Sequence, residues 1–380
     1  MEKINKIEKY PFVDSFWPTW LSWKQTSFLS LSIAESKLFN YVKNQYNLSF
    51  VSICNNAYYL RTLFAHKVET VNKPNVNKVP IVMVHGLCSG IGLWCKNIDS
   101  ISNNRKLYAM DVLGFGFSSR PKFSNDPVQV ENLFIDSIEE WRKSMGLKQF
   151  ILLGHSLGGF IACSYAIKYP ENVSHLILVD PWGFNQFDES KLSGIRKRLF
   201  TRFIFSISSY FNPLGIVRGA GPFGPSLVKF RKDIGSYFEG DENMKASDSH
   251  VSVDSNDVFD YIYHCNAQNP SGEPAFKTLT SNVIWAYNPM INRALELDKS
   301  IPVSFIYGGE TWMDKNAAYQ FKNKRPDSFV DVRIIKGCGH HVYAECADEF
   351  NQMVNEICDN VDFVHADDPI DDESVMEALP

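Results

Sequence analysis

The feature that most constrains the fold is a G-x-S-x-G run, Gly154-His155-Ser156-Leu157-Gly158, which directly follows an apolar segment at Phe150–Leu153. A helical pattern begins immediately behind the run and stops near Pro170. Between a strand and a helix, such a run forms a tight turn whose glycines permit close backbone approach. The turn lifts the Ser156 hydroxyl to the carboxyl edge of a sheet, beside a helix N-terminus. Ser156 is therefore the candidate nucleophile.

Short apolar runs alternate with longer amphipathic segments on both sides of this turn. The apolar runs are Val79–Val84, Lys106–Asp111, Phe150–Leu153, His175–Val179, Val303–Tyr307 and Val330–Ile335. The helical patterns are Val130–Met145, Leu157–Lys168 and Asp348–Asn360. Apolar runs separated by helices are typical of buried strands in a parallel sheet. The sequence therefore predicts an α/β fold with a mostly parallel central sheet.

The strand pattern is interrupted between residues 184 and 286, where aromatic, basic and Gly/Pro-rich pieces replace it. We expect this segment to be a helical cap inserted into a core made of residues 76–183 and 287–363. Residues 1–75 form a predicted N-terminal extension. Residues 364–380 are an acidic tail, which we expect to be disordered.

Composition and charge exclude several classes of protein. The 380 residues carry 38 Lys and Arg against 43 Asp and Glu, and the net charge of -5 lacks the basic field that nucleic-acid binding needs. No apolar run reaches the roughly 18 to 20 residues that span a bilayer, and the N-terminus shows no secretory signal. The 8 cysteines are scattered and lack zinc-ligand spacing. We expect a cytoplasmic protein without a metal.

A serine nucleophile needs a base, and His340 follows the last strand candidate in the run Gly337-Cys338-Gly339-His340. A glycine turn there would deliver the imidazole over Ser156, as a general base suited to neutral pH. The neighbouring His341 is the competing candidate, and packing is its simpler role. A chain order of nucleophile, acid and histidine fits a serine triad built on this turn.

The orienting carboxylate is expected in the loop after Tyr307, which reads Gly308-Gly309-Glu310-Thr311-Trp312-Met313-Asp314. Triads of this kind usually place the acid shortly after the strand-ending glycine, a position that Thr311 holds here. Asp314 is the preferred candidate and Glu310 the alternative. Asp180, at the end of the preceding strand, is a further candidate. A carboxylate that is not used would cap the following helix.

The segment after the first strand, residues 84–90, supplies candidate oxyanion donors. The backbone N–H groups of Leu87 and Leu157 are expected to point at the charge that develops on an attacked carbonyl. His85 in the same segment is expected to hold the loop by hydrogen bonds.

Taken together, these motifs resemble the α/β-hydrolase-fold serine hydrolases, and more narrowly their α/β-hydrolase-domain 4/5 subfamily. The resemblance runs from Phe16 to Asp362. It also rests on the stretches Trp17–Trp20, Gly114–Pro121, Ser137–Arg142, Asp180–Phe184, Ala220–Gly224 and Tyr261–Asn266. One branch of the subfamily comprises lysophospholipases and N-acyl-phosphatidylethanolamine lipases. The sister branch is the lipid-droplet co-activator of adipose triglyceride lipase, also described as a lysophosphatidic acid acyltransferase.

Two details of the resemblance separate these branches. Vertebrate members of the co-activator branch carry Asn at the nucleophile position, whereas Ser156 is intact here. The run Thr311-Trp312-Met313-Asp314 is closer to the lipase branch and implies Asp314 as the acid. The resemblance therefore implies cleavage of acyl esters of phospholipids or lysophospholipids through an acyl-Ser156 intermediate, without a cofactor. The alternative is a lipid-droplet adaptor that co-activates a triglyceride lipase.

The subfamily also carries an acyltransferase-type His-x4-Asp box. The box maps onto His340 and Glu345, with Glu345 in place of the Asp. Acyl transfer from an acyl-Ser156 intermediate to a lipid alcohol would explain such an activity without a separate site.

Aromatic residues are concentrated near the N-terminus, where Trp17, Trp20 and Trp23 lie close together. Trp suits a boundary between an apolar phase and water, so these residues are candidate lipid-surface contacts. Packing of the rings under the core is the alternative. In the cap, residues 195–203 combine an apolar helical face with basic side chains, a second candidate lipid contact. The resemblance implies peripheral association with lipid droplets or the endoplasmic reticulum membrane, and a triglyceride lipase or droplet coat protein as a partner.

Overall fold

The computed structural model describes residues 26–67, 78–187, 213–229, 254–281 and 284–365. The predicted lipid contacts Trp17, Trp20 and Trp23 lie outside the described residues, as do the basic segment 195–203 and the tail beyond residue 365.

Ten strands are described. They are β1 (Tyr46–Ile53), β2 (Tyr58–Ala65), β3 (Ile81–Val84), β4 (Leu107–Met110), β5 (Phe150–His155), β6 (Val173–Val179), β7 (Thr280–Ser281), β8 (Trp285–Ala286), β9 (Val303–Gly308) and β10 (Val330–Ile335). Eight of them form one sheet in the order β1-β2-β4-β3-β5-β6-β9-β10, and β7 pairs with β8. All pairings from β4 to β10 across this sheet are parallel, and β2 runs antiparallel to β1 and β4. The predicted α/β fold with a mostly parallel sheet is confirmed.

The central strands are apolar because both of their faces are covered. Every residue of β3, β4, β5 and β6 is buried, as expected for parallel strands between two layers of helices. One core cluster includes Trp94 and Tyr261, and the cluster on the other side of the sheet includes Trp141 and Phe160. The carboxyl ends of β3, β5, β6 and β9 therefore form one fixed edge on which side chains meet.

Strands β1 and β2 correct the predicted domain boundaries. Both fall within residues 1–75, yet β2 pairs with β4 from Thr62 opposite Met110 to Ala65 opposite Leu107. The core sheet thus begins upstream of residue 76. These strands lie at the antiparallel edge, where β1 is mostly half-buried and alternates polar with apolar residues. Such strands lack the continuous apolar run by which the central ones are recognised.

Twelve α-helices are described. They are α1 (Phe28–Phe39), α2 (Ile98–Ser102), α3 (Pro127–Ser144), α4 (Leu157–Lys168), α5 (Pro213–Gly219), α6 (Gly224–Lys229), α7 (Ser255–Ala267), α8 (Gly272–Leu279), α9 (Met290–Arg293), α10 (Asn316–Lys324), α11 (Val342–Glu345) and α12 (Ala347–His365). Helix α3 begins three residues before the predicted start at Val130. Pro127 occupies its first turn, and the Asp126 side chain accepts a hydrogen bond from Gln129 N. None of the described helices is both long and apolar enough to cross a bilayer.

The described part of residues 184–286 is mainly helical. It consists of α5, α6, α7 and α8 with the short β7–β8 pair. Helix α7 is its centre and packs against α1, α5 and α6. It buries Tyr261, Ile262 and Cys265 among other residues, so this segment is joined to the core by apolar packing above the carboxyl edge of the sheet.

Candidate active site

Ser156 lies in a strained turn between β5 and α4. Its φ of 54° and ψ of -117° are disfavoured for a residue with a Cβ. The turn is fixed by backbone hydrogen bonds, because Ser156 N donates to Val179 O and Ser156 O accepts from Gly159 N at 2.9 Å. A Cβ on Gly158 would collide with the backbone oxygens of Val84 and His85. These constraints hold the Ser156 hydroxyl at the carboxyl edge of the sheet.

His340 contacts both Ser156 and a buried carboxylate. Its Nε2 lies 3.1 Å from Ser156 Oγ, and its Nδ1 lies 2.6 Å from Asp180 Oδ2. Asp180 is fully buried at the end of β6. Two of the predicted residues, Ser156 and His340, thus come together from opposite ends of the core, and the chain order of nucleophile, acid and histidine is kept.

The pairing of His340 with Asp180 corrects the preferred prediction, which was Asp314. Asp314 instead accepts a hydrogen bond from Asn316 N at 3.0 Å and so caps the start of α10. The alternative, Glu310, carries an exposed side chain. Asp180 orients His340 instead, because it directly follows β6, the parallel neighbour of β9, and the carboxyl ends of both strands lie at the same edge of the sheet.

Asp180 is held from β9 and from the loop that follows it. Gly308 N donates to its Oδ1 at 3.3 Å, and the Thr311 hydroxyl donates to its Oδ2. Burial raises the pKa of Asp180 to about 7, and the Thr311 hydrogen bond acts against this shift. Thr311, at the position where sequence reasoning expected an acid, therefore supports the carboxylate of the adjacent strand.

His155, the variable residue of the G-x-S-x-G run, is a part of the site that the sequence did not reveal. Its Nε2 lies 2.9 Å from the backbone oxygen of His340, to which it can donate. Burial lowers the pKa of His155 to about 3, so the ring stays neutral. It also packs on the His340 ring, with centroids 4.8 Å apart. A polar residue in a buried turn was the only local signal.

The histidine loop is held from its other side by α11. Glu345 Oε2 accepts from Gly339 N at 2.6 Å, and Oε1 accepts from His341 N at 2.9 Å. His341 Nδ1 lies 3.1 Å from the Tyr343 hydroxyl. Of the two adjacent histidines, the one hydrogen-bonded to Ser156 is thus His340.

The loop that carries Leu87 is fixed by three groups. His85 Nδ1 donates to Gly86 O at 2.7 Å, and His85 Nε2 accepts from Val112 N at 2.9 Å. Burial lowers the pKa of His85, so the ring is neutral, which this pattern requires. From α7, Asn266 Nδ2 donates to Cys88 O at 2.9 Å. Leu157 is the first residue of α4, so its backbone N–H has no hydrogen-bond acceptor within the helix.

A large aromatic residue, Trp312, is solvent-exposed beside His340. Trp312 is 65% exposed, yet its ring packs on that of His340 with centroids 5.2 Å apart. The imidazole is therefore flanked by Trp312 and His155.

This geometry can perform acyl transfer at a serine. The hydroxyl, the imidazole and the carboxylate stand in a row, and a helix N-terminus adjoins the hydroxyl. No cluster of three or more His, Cys, Asp or Glu side chains in the described ranges is arranged to hold a metal ion.

A serine turn at the carboxyl edge of a parallel sheet, with a histidine after the last strand, defines the α/β-hydrolase class of proteins. The family model for the alpha/beta hydrolase fold matches residues 79–345. Human (Lyso)-N-acylphosphatidylethanolamine lipase is 43% identical over 345 residues, which cover 89% of this chain and 94% of that one. Human 1-acylglycerol-3-phosphate O-acyltransferase ABHD5 is 42% identical over 342 residues, which cover 89% and 92%.

The chain therefore belongs to the α/β-hydrolase-fold family, in its α/β-hydrolase-domain 4/5 subfamily. Among solved structures, carboxylesterase CesB from Bacillus subtilis superposes with a TM-score of 0.60 at 17% identity, over 87% of this chain and 97% of that one. A membrane phospholipase A, described as a bacterial virulence factor, superposes with a TM-score of 0.59 at 20% identity, over 88% and 91%. These two likenesses concern the fold alone.

Proposed function

We propose that the protein is a serine hydrolase that cleaves acyl esters of phospholipids or lysophospholipids, N-acylated ones included, through an acyl-Ser156 intermediate. The observation that carries the proposal is the row of contacts from Ser156 Oγ to His340 Nε2, 3.1 Å, and from His340 Nδ1 to Asp180 Oδ2, 2.6 Å. The lipid substrate class is supported by the 43% identity to a (Lyso)-N-acylphosphatidylethanolamine lipase.

The first half of the reaction transfers the acyl group to the enzyme. Ser156 Oγ attacks the ester carbonyl while His340 Nε2 takes its proton, and Asp180 stabilises the imidazolium that forms. The backbone N–H groups of Leu87 and Leu157 donate to the oxyanion; one such donor is worth about 100- to 1000-fold in rate. The C–O bond to the alcohol then breaks, and His340 returns the proton to the leaving oxygen.

The second half releases the fatty acid. A water molecule gives a proton to His340 Nε2 and attacks the acyl-Ser156 carbonyl; the serine oxygen leaves and regains the proton. Serine, imidazole and backbone donors suffice for this chemistry, so the mechanism calls for no cofactor.

Acyl transfer is a second candidate, favoured by the 42% identity to 1-acylglycerol-3-phosphate O-acyltransferase ABHD5. A lysophosphatidic acid hydroxyl would take the place of water in the second half, on the same acyl-Ser156 intermediate. Both reactions fit an enzyme held peripherally on a lipid droplet or membrane surface, with Trp17, Trp20 and Trp23 as the proposed contacts.

The test is fatty-acid release by the purified chain from a panel of N-acyl-phosphatidylethanolamine, its lyso form and lysophosphatidylcholine, with and without lysophosphatidic acid as acceptor. Ser156→Ala is compared with Ser144→Ala, whose hydroxyl is exposed at the end of α3. We expect release that is lost in Ser156→Ala and kept in Ser144→Ala. Wild-type protein that hydrolyses no lipid contradicts the proposal and leaves co-activation of a triglyceride lipase as the hypothesis to test.

A further inference from the structure

The Glu345 carboxylate accepts hydrogen bonds from the backbone on both sides of His340. It is the last residue of α11, and its carboxylate turns back onto the histidine loop. Oε2 accepts from Gly339 N at 2.6 Å, and Oε1 accepts from His341 N at 2.9 Å. Each oxygen thus binds one of the two N–H groups that flank the His340 residue.

These two hydrogen bonds define the direction in which the His340 side chain leaves the backbone. Hydrogen bonds from N–H to a carboxylate are charge-assisted and stronger than neutral ones. They orient the Cys338–Gly339 peptide plane and the His340–His341 peptide plane. The carbonyl of the second plane, His340 O, also lies 2.9 Å from His155 Nε2. With the backbone fixed at these three points, the ring can reach Ser156 and Asp180 together.

We propose that Glu345 is a positioning residue that holds His340 in register with Ser156. The inference rests on the proposed function, because Glu345 acts only through His340. Gly339 and His341 lie six and four residues before Glu345, so a carboxylate at the end of a one-turn helix reaches back to both loop amides. The His340 to Glu345 box is therefore a clamp on the loop of the triad histidine, and not a second catalytic site for acyl transfer.

A separate acyltransferase site would need the His340 imidazole and the Glu345 carboxylate to act together, apart from Ser156 and Asp180. The structure instead commits His340 Nε2 to Ser156 and Nδ1 to Asp180. Both Glu345 oxygens accept backbone N–H groups. Hydrolysis and acyl transfer then depend on Glu345 equally, since each passes through the same histidine.

The test compares three variants in the full chain. Glu345→Gln keeps the shape but offers one acceptor oxygen where the clamp needs two, whereas Glu345→Asp keeps both oxygens and the charge. Glu349→Gln removes a charge from an exposed residue of α12 and serves as the matched control. The readouts are kcat and KM for lysophospholipid hydrolysis, the fluorophosphonate labelling rate of Ser156, and Tm.

Glu345→Gln is expected to lower kcat and the labelling rate together by about 10- to 100-fold, as misplacement of a reacting group does, with KM little changed. Glu345→Asp is expected to recover most of this loss, and Glu349→Gln to match the wild type. Any acyl transfer to lysophosphatidic acid falls by the same factor as hydrolysis. An active wild type with an equally active Glu345→Gln overturns the clamp, as does loss of transfer alone. A wild type that neither labels nor hydrolyses contradicts the proposed function itself.

If Glu345→Gln does not fold, Glu345→Asp carries the test alone. Its carboxylate is one methylene shorter, so it cannot keep both the 2.6 Å contact with Gly339 N and the 2.9 Å contact with His341 N. A fall in kcat and in the labelling rate of about 3- to 10-fold at constant KM is expected. A folded Glu345→Asp with the wild-type kcat overturns the proposal.

Discussion

Asp180 and His340 are hydrogen-bonded at 2.6 Å although 160 positions separate them in the chain. Asp180 directly follows β6, and His340 lies in the loop after β10, so the contact spans β9, which lies between these strands in the sheet. It brings a fully buried carboxylate to the far side of the imidazole from Ser156. The acid of this site thus stands one strand away from the loop in which the sequence predicted it.

The choice between the two carboxylates can be measured directly. Asp180→Asn is expected to lower kcat by about 10⁴-fold, because an amide at this place favours the wrong imidazole tautomer. Asp314→Asn keeps an oxygen that can accept from Asn316 N at the start of α10, so it is expected to cost about 1 kcal/mol of stability or less and to leave kcat within about threefold. Steady-state hydrolysis and thermal melting of both variants make the comparison. A large loss in Asp314→Asn with an active Asp180→Asn would restore the sequence-based assignment.

Thr311 is expected to tune the pH dependence through Asp180. Its hydroxyl stabilises the ionised carboxylate, whose pKa burial raises to about 7. Thr311→Val removes that donor, so the pKa of Asp180 rises further and activity is lost at a higher pH on the acidic side. The acidic limb of the kcat/KM profile should shift upward by about 0.5 to 1 pH unit. Thr311→Ser keeps the hydroxyl and should retain the wild-type profile; coincident profiles for all three proteins would refute this role.

Gly86 is predicted to be intolerant of any side chain because it adjoins the nucleophile. A Cβ there would lie 2.9 Å from His155 Nδ1 and 3.0 Å from Ser156 Cβ. Gly86→Ala is therefore expected to lower the labelling rate of Ser156 by about 100-fold or more, through displacement of the serine or its oxyanion loop. Gly219→Ala is the matched control, since nothing lies within 4 Å of its added methyl group. Equal labelling of both variants would show that the turn relaxes without loss.

His175, far from the triad, is expected to make the fold acid-sensitive. Its Nε2 contacts Ser304 Oγ at 2.9 Å, and burial lowers its pKa to about 4. The pKa of His175 in the folded state lies below the unfolded value of about 6.5. Between these two pKa values the unfolded state therefore binds a proton that the folded state does not bind. Stability is thus unaffected above pH 6.5 and falls as the pH drops from 6.5 towards 4, by at most about 1.4 kcal/mol per pH unit for this group.

Urea unfolding at pH 7.5, 6 and 5 compares the wild type with His175→Gln, which keeps a polar group but does not titrate. The variant should lose less stability between pH 7.5 and 5 than the wild type does. The same loss in both proteins would contradict a buried, neutral His175.

The central strands and the turn around Ser156 are predictable because their signals are local. The run at Val330–Ile335 and the helical pattern at Leu157–Lys168 match β10 and α4 residue for residue. Continuous apolar runs identify strands buried on both faces. Strands β1 and β2 lie at the partly exposed, antiparallel edge of the sheet, so their sequences carried no such run.

The support of the triad is not local, which is why the sequence did not reveal it. Chain order places the acid between Ser156 and His340 but does not say which strand end supplies it. The hydrogen bond from His155 to the His340 carbonyl joins residues 185 positions apart. The Glu345 contacts join residues that are close in sequence, yet they cannot be predicted without the one-turn helix α11, which turns the carboxylate back onto the loop. Such contacts follow from the packing of whole elements rather than from any motif.

Activation of Ser156 is tested most directly by the site of covalent labelling with a fluorophosphonate, read by mass spectrometry of the intact protein and its peptides. We expect one adduct per chain, located on Ser156, absent from Ser156→Ala and formed far more slowly in His340→Ala. No adduct on the wild-type protein, or an adduct that persists in Ser156→Ala, would contradict the claim that Ser156 is an activated nucleophile.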